Sequence, residues 1–470
     1  MKMRQNSHNK WISLWQALRD GGEFSGHFIA GAEGTITQSD LVSGSVLYSR
    51  GDELWGRSVL VSTTSQFTTA SALIELDGLA RRIVVCPPDL PLDRLPYVME
   101  TAEVDAIVSD RNLTHFGSRR PLILSPCSRG IAPGICERSR QHETEWILLT
   151  SGTTGWPKLV VHTLASLAGA IEPTTALPNR SVWSTFYDIR RYGGLQILLR
   201  AVLTRTSLLL AGAGESTSEF LSRAAAHGVT HLSGTPSHWR HALMSPAARL
   251  ISPEYVRLSG EIADQAILNH LRSFYPEAKI VHAFASTEAG VAFEVKDEMA
   301  GFASATLQNT PNVEMKIEEG SLHIRSPRTA SRYLGTDVPA LKDADGFVDT
   351  GDVLELRDGR YYFAGRRDGI INVGGMKVHP EEIEAVINRH PAVQMSLVRT
   401  KKNSITGSIV IADVVLQANP KPTDNDTKTL QNDILSLCRE KLSSYKIPVA
   451  INIRPELAVA ESGKLLRRNA

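Results

Sequence analysis

The stretch Leu149-Thr150-Ser151-Gly152-Thr153-Thr154-Gly155-Trp156-Pro157-Lys158 constrains this chain more than any other. One apolar run, Trp146 to Leu149, leads into it and another, Leu159 to Val161, leads out, so the pattern reads strand, polar glycine loop, strand. Hydroxyl side chains at Thr150, Ser151, Thr153 and Thr154 supply donors, and Gly152 and Gly155 let the backbone close around an anion. Successive N–H groups in such a loop form a concavity for phosphate oxygens, with Lys158 as a positive charge beside it. The P-loop pattern is excluded, because no Gly-Lys-Ser/Thr follows at the required spacing. Taken singly, the stretch is also an ordinary Ser/Thr/Gly hairpin turn.

A chain of 470 residues is long enough for more than one domain and a large core. A formal charge of +1 gives no reason to expect nucleic acid or an acidic membrane surface as partner. Cys86, Cys127, Cys136 and Cys438 are widely spread with no CxxC, which argues against a disulfide framework or zinc site and fits a reducing cytoplasm. In Met1 to Gly21, Trp11, Ile12, Leu14, Trp15 and Leu18 share one helical face; the segment is too polar for a signal peptide, and no stretch is long and apolar enough to span a bilayer.

Helix and strand patterns alternate on both sides of the loop. Helices are expected at Phe67 to Ala80, Gly194 to Leu203, Glu219 to Ala226 and Asp264 to Phe274. Strands are expected at Ile83 to Cys86, Asp105 to Val108, Ser207 to Leu210, Val229 to Leu232, Val256 to Leu258 and Ile280 to Phe284. This predicts an α/β fold with doubly wound, mostly parallel sheets, whose strand ends build the site. Past residue 368 the composition changes: Pro380, Glu381 and Glu382 open a helix, Val393 to Val398 and Ser408 to Leu416 read as strands, and Asn419 to Lys428 as a loop. Leu430 to Leu442 is an amphipathic helix and Val449 to Ile453 a last strand. The expected division is a body of residues 1–367 and a small α+β lid of residues 368–470.

Three further stretches carry chemistry. Ser286-Thr287-Glu288 ends an apolar strand in two hydroxyls and a carboxylate, and a carboxylate near a phosphate loop requires a cation such as Mg²⁺ between them; alone, the triplet also reads as a helix start. Asp349-Thr350-Gly351-Asp352 offers a carboxylate on a glycine turn, suited to two ribose hydroxyls, or simply a turn Asp. The segment from Tyr361 to Lys377 packs an aromatic strand, the turn Arg366-Arg367-Asp368-Gly369 and the diglycine Gly374-Gly375 into one unit.

Together these motifs resemble the adenylate-forming superfamily of acyl- and aryl-CoA synthetases, nonribosomal peptide adenylation domains and firefly luciferase, from about Trp146 to Lys464. The resemblance implies ATP-dependent activation of a carboxylic acid as an acyl-adenylate, then transfer to a thiol of CoA or a carrier-protein phosphopantetheine. By that resemblance the residues from Thr150 to Gly155 and Lys158 hold phosphates, Thr287 touches phosphate, and Glu288 binds Mg²⁺. Phe284 stands at the adenine, in place of the usual tyrosine, and Asp352 and Arg366 stand at the ribose. Asp368 is the hinge of the lid, Gly375 lines the thiol tunnel, and Lys464 bridges acid and ATP. The acyl pocket falls by rough alignment on Phe186, Tyr187, Asp188, Tyr192, Trp239 and Gly260. Asp188 lies near an ammonium-binding position of amino-acid-activating relatives, Arg190 and Arg191 read as surface or as contacts for a second carboxylate or CoA phosphates, and the aromatic residues also read as core. A carboxylate–CoA ligase is the leading expectation, ahead of a free-standing enzyme that loads a carrier protein; a non-catalytic nucleotide-binding relative is the third alternative.

Overall fold

The computed structural model describes residues 13–20, 26–113, 116–127, 131–133, 142–151, 156–172, 180–336, 338–373, 376–403, 407–417, 424–459 and 464–466. Two large sheets form its body. In one, Ser58–Ser62 pairs in parallel with Arg82–Val85 and Ala106–Ser109, and Arg82–Val85 continues in parallel to Glu145–Ser151. These strands are short β-branched runs buried on both faces, as central parallel strands must be. In the other, Val182–Thr185, His231–Gly234, Tyr255–Ser259 and Lys279–Ser286 run parallel in that order, and Gly290–Val295 closes the edge antiparallel. Helices pack between and outside the sheets. Gln66–Leu76 starts where the Ser65 hydroxyl accepts the N–H groups of Phe67 and Thr68, and Tyr192–Leu203 buries nearly its whole length. The core between the sheets contains Trp146, Trp183, Leu195 and Leu199.

The expected α/β architecture is therefore observed, with most element boundaries displaced by one to three residues. The loop expected from Asn419 to Lys428 is corrected in part: a helix spans Asp424–Lys441, because the polar run is followed by an apolar stripe that buries Ile434 and Cys438. Met1 to Ile12 and the segment 418–423 lie outside the described residues. Of a third sheet, only the aromatic strand opening at Tyr361 was expected, observed as Arg360–Arg366. The sheet is antiparallel, with Val348–Arg357 between Ser321–Arg325 and Arg360–Arg366, and it has its own core around Phe293, Phe302 and Leu322.

Residues from Ile371 onward gather around a separate core of Ile383, Ile387, Val398, Val414 and Ile434. The helix Pro380–Ile387 packs on the long hairpin Val393–Asn403 and Gly407–Leu416, joined in parallel by Ile451–Ile453. This unit is docked on the body by a polar interlock. The Gln394 amide donates to the Arg240 carbonyl at 2.6 Å, and the Arg240 guanidinium donates back to the Gln394 carbonyl at 3.1 Å. A second arm of Arg240 reaches Asp264 at 2.6 Å, and Asn388 donates to the same carboxylate oxygen at 3.1 Å. Arg240 and Gln394 are both buried.

Candidate active site

The glycine loop is carried on a hairpin. Glu145–Ser151 and Pro157–Thr163 are antiparallel, with Lys158 opposite Thr150 and Pro157 opposite Ser151. Gly152, Thr153, Thr154 and Gly155 lie outside the described residues, as does the Ser151 side chain. At the loop's base the Lys158 ammonium sits 5.1 Å from the centre of the Tyr333 ring, a cation–π contact. The Tyr333 hydroxyl and the Thr150 hydroxyl approach the same Glu288 oxygen at 3.4 and 3.5 Å, both long for a hydrogen bond. Tyr333, which sequence reasoning missed, thus joins the loop lysine to the carboxylate. It comes from the edge strand Arg332–Leu334, paired to Pro157–Thr163, and only that pairing reveals it.

Ser286-Thr287-Glu288 is the turn of a β-hairpin, not a helix start. Lys279–Ser286 and Gly290–Val295 pair directly across it, and Gly290 takes φ +74° with Arg328 backbone packed where a side chain would stand. The ladder slips between Phe284 and Ala285, and such a bulge re-aims the residues beyond it. Thr287 is held from behind by His162, whose Nε2 is 2.7 Å from the Thr287 carbonyl and whose Nδ1 is 2.9 Å from Ser166. Burial pushes the His162 imidazole down to about 4, so it is neutral at physiological pH and Nε2 donates to the carbonyl. His162 was also missed by sequence reasoning; its partner is 125 residues away. Phe284 lies nearly parallel to Phe363, ring centres 5.2 Å apart, and to Phe293 at 5.7 Å, forming an aromatic stack at the strand end.

Asp352 and Arg366 face each other across the third sheet, 3.8 Å apart. Burial raises the Asp352 carboxyl to about 6, against the opposing pull of Arg366 and then Lys464. Gly351 between Thr350 and Asp352 takes φ +70°, with the Arg366 guanidinium 3.4 Å from where a Cβ would be. Asp349 turns away to Arg367 and Ser321. Asp368 is exposed in a short turn, 4.0 Å from Arg366, while Gly374 and Gly375 lie outside the described residues.

Lys464 enters this cleft from the C-terminal unit. Its Cε lies 3.8 Å from where a Cβ on Gly260 would be, and the next residue, Leu465, donates its N–H to Glu261 at 3.2 Å. Gly260 itself takes φ +83°, a conformation that disfavours other residues. Lys464 is therefore near Gly260 and bears electrostatically on Asp352.

The expected pocket residues divide. Tyr187 is buried and donates its hydroxyl to the Ser259 carbonyl at 2.6 Å; Tyr192 begins the helix beside it. Phe186 leans over Gly234, where a Cβ would meet its ring at 2.8 Å. Trp239 is fully buried in the outer core with Tyr275. Asp188 is held by two arms of Arg190, and a third donates to the Thr63 carbonyl at 2.5 Å. The surface reading of Arg190 is corrected accordingly: it is 6% exposed and serves as a strut between the helix start and the loop after Ser58–Ser62. Arg191 pairs with Asp89 at the rim.

The fold and the cleft together have the form of one class of protein, a sheet-built body with a small C-terminal unit whose lysine enters the cleft beside the glycine-loop hairpin and the Asp352–Arg366 pair. The comparisons narrow it. A family model described as AMP-binding enzyme matches residues 80–334, a second described as AMP-binding enzyme C-terminal domain matches residues 382–464, and the chain belongs to this family. Similar curated proteins include a 2-succinylbenzoate–CoA ligase of Listeria innocua, 26% identical over 72% of this chain and 72% of the relative. Another, from Bacillus cereus, is 24% identical over 88% of this chain and 87% of its own. Among solved structures, the anthranilate CoA ligase AuaEII in complex with anthranoyl-AMP superposes with a TM-score of 0.82 at 17% identity, covering 97% of this chain and 96% of that one. The amide bond synthetase McbA from Marinactinospora thermotolerans reaches 0.78 at 19% identity, covering 96% and 97%. Among the described residues no helix is long and apolar enough to cross a membrane.

Proposed function

We propose that this AMP-binding enzyme activates a carboxylic acid with ATP as an acyl-adenylate and then transfers the acyl group to the thiol of CoA. One observation carries the reading: Lys464 lies against Gly260 and Leu465 is anchored on Glu261, next to Ser259, whose carbonyl Tyr187 holds. An ammonium there meets both the acid and the α-phosphate and stabilises charge that builds between them. Loop donors and Lys158 orient the triphosphate, and Asp352 accepts the ribose hydroxyls. Phe284 extends an aromatic stack toward the base. The carboxylate is already a nucleophile, so positioning and positive field do most of the work.

The residues present fit a magnesium ion. Glu288 contributes one carboxylate whose contacts are long hydroxyl approaches, and Mg²⁺ commonly takes one or two carboxylates alongside phosphates and water. When bound, the ion neutralises phosphate charge, and Tyr333 and Thr150 keep the carboxylate turned toward the loop. Residues 368–470 act as the lid, turning about Asp368 to withdraw Lys464 and bring Gly375 to the thiol. The buried free thiols Cys86 and Cys438 suit a reducing cytoplasm. CoA is favoured by the CoA ligases among the relatives; a carrier-protein phosphopantetheine is the second acceptor to assay.

The test is acid-dependent exchange of pyrophosphate into ATP across a panel of aryl, alkyl and amino acids, followed by thioester formation with CoA or a phosphopantetheinylated carrier. Exchange with at least one acid and thioester with CoA is the expected result. Folded protein that exchanges with none of them refutes the reading.

A further inference from the structure

Asp349 opens the turn that presents Asp352, and its two carboxylate oxygens serve different parts of the structure. Oδ1 accepts the Ser321 hydroxyl at 2.7 Å and the Gly351 N–H at 2.9 Å. The second bond closes an Asx turn, in which a side chain stands in for a backbone acceptor two residues upstream. That turn carries the φ of +70° at Gly351, immediately before Asp352. Thr350 braces it as well, donating its hydroxyl to the Leu322 carbonyl at 2.8 Å and accepting the Asp352 N–H at 3.1 Å. Two consecutive residues, both fastened to the strand Ser321–Arg325, thus set the direction of Asp352.

Oδ2 accepts the guanidinium of Arg367, the first residue of the short turn Arg367–Gly369 that contains Asp368. The neighbouring Arg366 goes elsewhere, standing 3.8 Å from Asp352 and 4.0 Å from Asp368. His323 faces Asp349 from the next strand, its Nε2 3.7 Å from Oδ1. Burial pulls the Asp349 carboxyl upward, yet Ser321, the Gly351 N–H and Arg367 hold it below its ordinary value, so it is charged at neutral pH. A hinge needs one free joint on a stiff mount. Gly369 loosens the lid side of Asp368, so stiffness has to come from the body side. Freedom upstream of the joint multiplies the orientations open to the lid and dilutes every working pose.

We infer that Asp349 is a positioning residue that makes the ribose turn and the body side of the hinge one rigid piece, Oδ1 aiming Asp352 and Oδ2 holding Arg367. The inference rests on the proposed adenylation reading, in which Asp352 takes the ribose and the lid turns about Asp368. The two arms are separable. Asp349→Asn keeps an oxygen for Gly351 and Ser321 but gives up the charge that holds Arg367. Arg367→Met removes the same ion pair from the other side, and Asp349→Ala removes both arms at once.

The experiment follows the full chain by pyrophosphate exchange, thioester formation with CoA and hydrogen–deuterium exchange at the amides of residues 366–373, with a urea midpoint for each variant. Asp349→Asn and Arg367→Met are each expected to lower kcat for the thioester by about two- to fivefold, the worth of a half-exposed ion pair, and to speed amide exchange in the hinge by a similar factor. In both, the KM for ATP is expected to stay within about twofold, since the Oδ1 acceptor survives. The double variant is expected to be no slower than the worse single one, because both remove one interaction. Asp349→Ala is expected to add a rise of about tenfold in the KM for ATP, the worth of a hydrogen bond to a charged acceptor. Single variants that leave kcat and hinge exchange unmoved, additive losses in the double, or an unchanged KM for ATP in Asp349→Ala overturn the inference while leaving adenylation intact. So does an equal change in every readout that tracks the urea midpoint, the mark of a merely structural role. Pyrophosphate exchange with no acid refutes the adenylation reading instead. Hinge amide exchange and calorimetric ATP affinity then still decide, and values unchanged in all three variants overturn the inference on their own.

Discussion

Gln394→Met tests whether the docked pose of the C-terminal unit is the one that makes adenylate. The substitution removes the amide that donates 2.6 Å to the buried Arg240 carbonyl, while the return bond from Arg240 survives because its acceptor is main chain. A neutral hydrogen bond is worth about 1 kcal/mol, and the Arg240 carbonyl, which lies inside the helix Pro236–Met244, keeps its helical donor. The loss falls only on the docked pose. A bias of about 1 kcal/mol shifts the docking equilibrium by roughly fivefold. Single-turnover adenylate formation is expected to slow by about fivefold. Thiolysis of supplied acyl-adenylate is expected to stay level or quicken. A urea midpoint for each protein separates this from general loss of stability. Adenylation at the wild-type rate, or equal slowing of both half-reactions, refutes the reasoning.

Two further outcomes follow from the site. Because the Asp352 carboxyl is raised to about 6, lowering the pH from 7.5 to 5 converts most of it to the neutral acid, which loses its charge for the ribose hydroxyls. The KM for ATP is expected to rise about tenfold over that interval, one pH unit below the group's value leaving about a tenth ionised, and Asp352→Asn is expected to flatten the profile. His162→Ala removes the donor behind the Thr287 carbonyl. It is expected to raise the magnesium and ATP requirements severalfold, with a smaller change in the KM for the acid, as steady-state titrations would report.

The parts of the site that were legible in the sequence are those built from contiguous residues. The strand–loop–strand around Leu149 to Lys158 is a hairpin because its apolar runs flank a turn alphabet with no helix period. The Asp349-Thr350-Gly351-Asp352 turn likewise needs glycine at φ +70°, a requirement visible locally. Ser286-Thr287-Glu288 was ambiguous, because helix starts and hairpin turns use the same short polar residues; the antiparallel return of Gly290–Val295 decides it. The rest of the third sheet was illegible since strands such as Glu314–Glu318 are half-exposed and mostly charged. Tyr333, His162 and the Arg240–Gln394 interlock depend on partners more than a hundred residues away, and each alone reads as an ordinary polar or aromatic residue. For Tyr333 the distant partner is the loop hairpin itself, through Leu334 against Leu159.

Lys464→Ala is the most direct measurement, with the two half-reactions followed separately in the same preparation. The lysine approaches Gly260 from the C-terminal unit, in the docked pose. Adenylate formation is expected to fall by about a hundredfold or more, in the range seen when a group stabilising transition-state charge is removed, while thiolysis of supplied adenylate persists within a fewfold of wild type. Adenylate formation that survives the substitution, or loss of both steps to the same degree, contradicts the account.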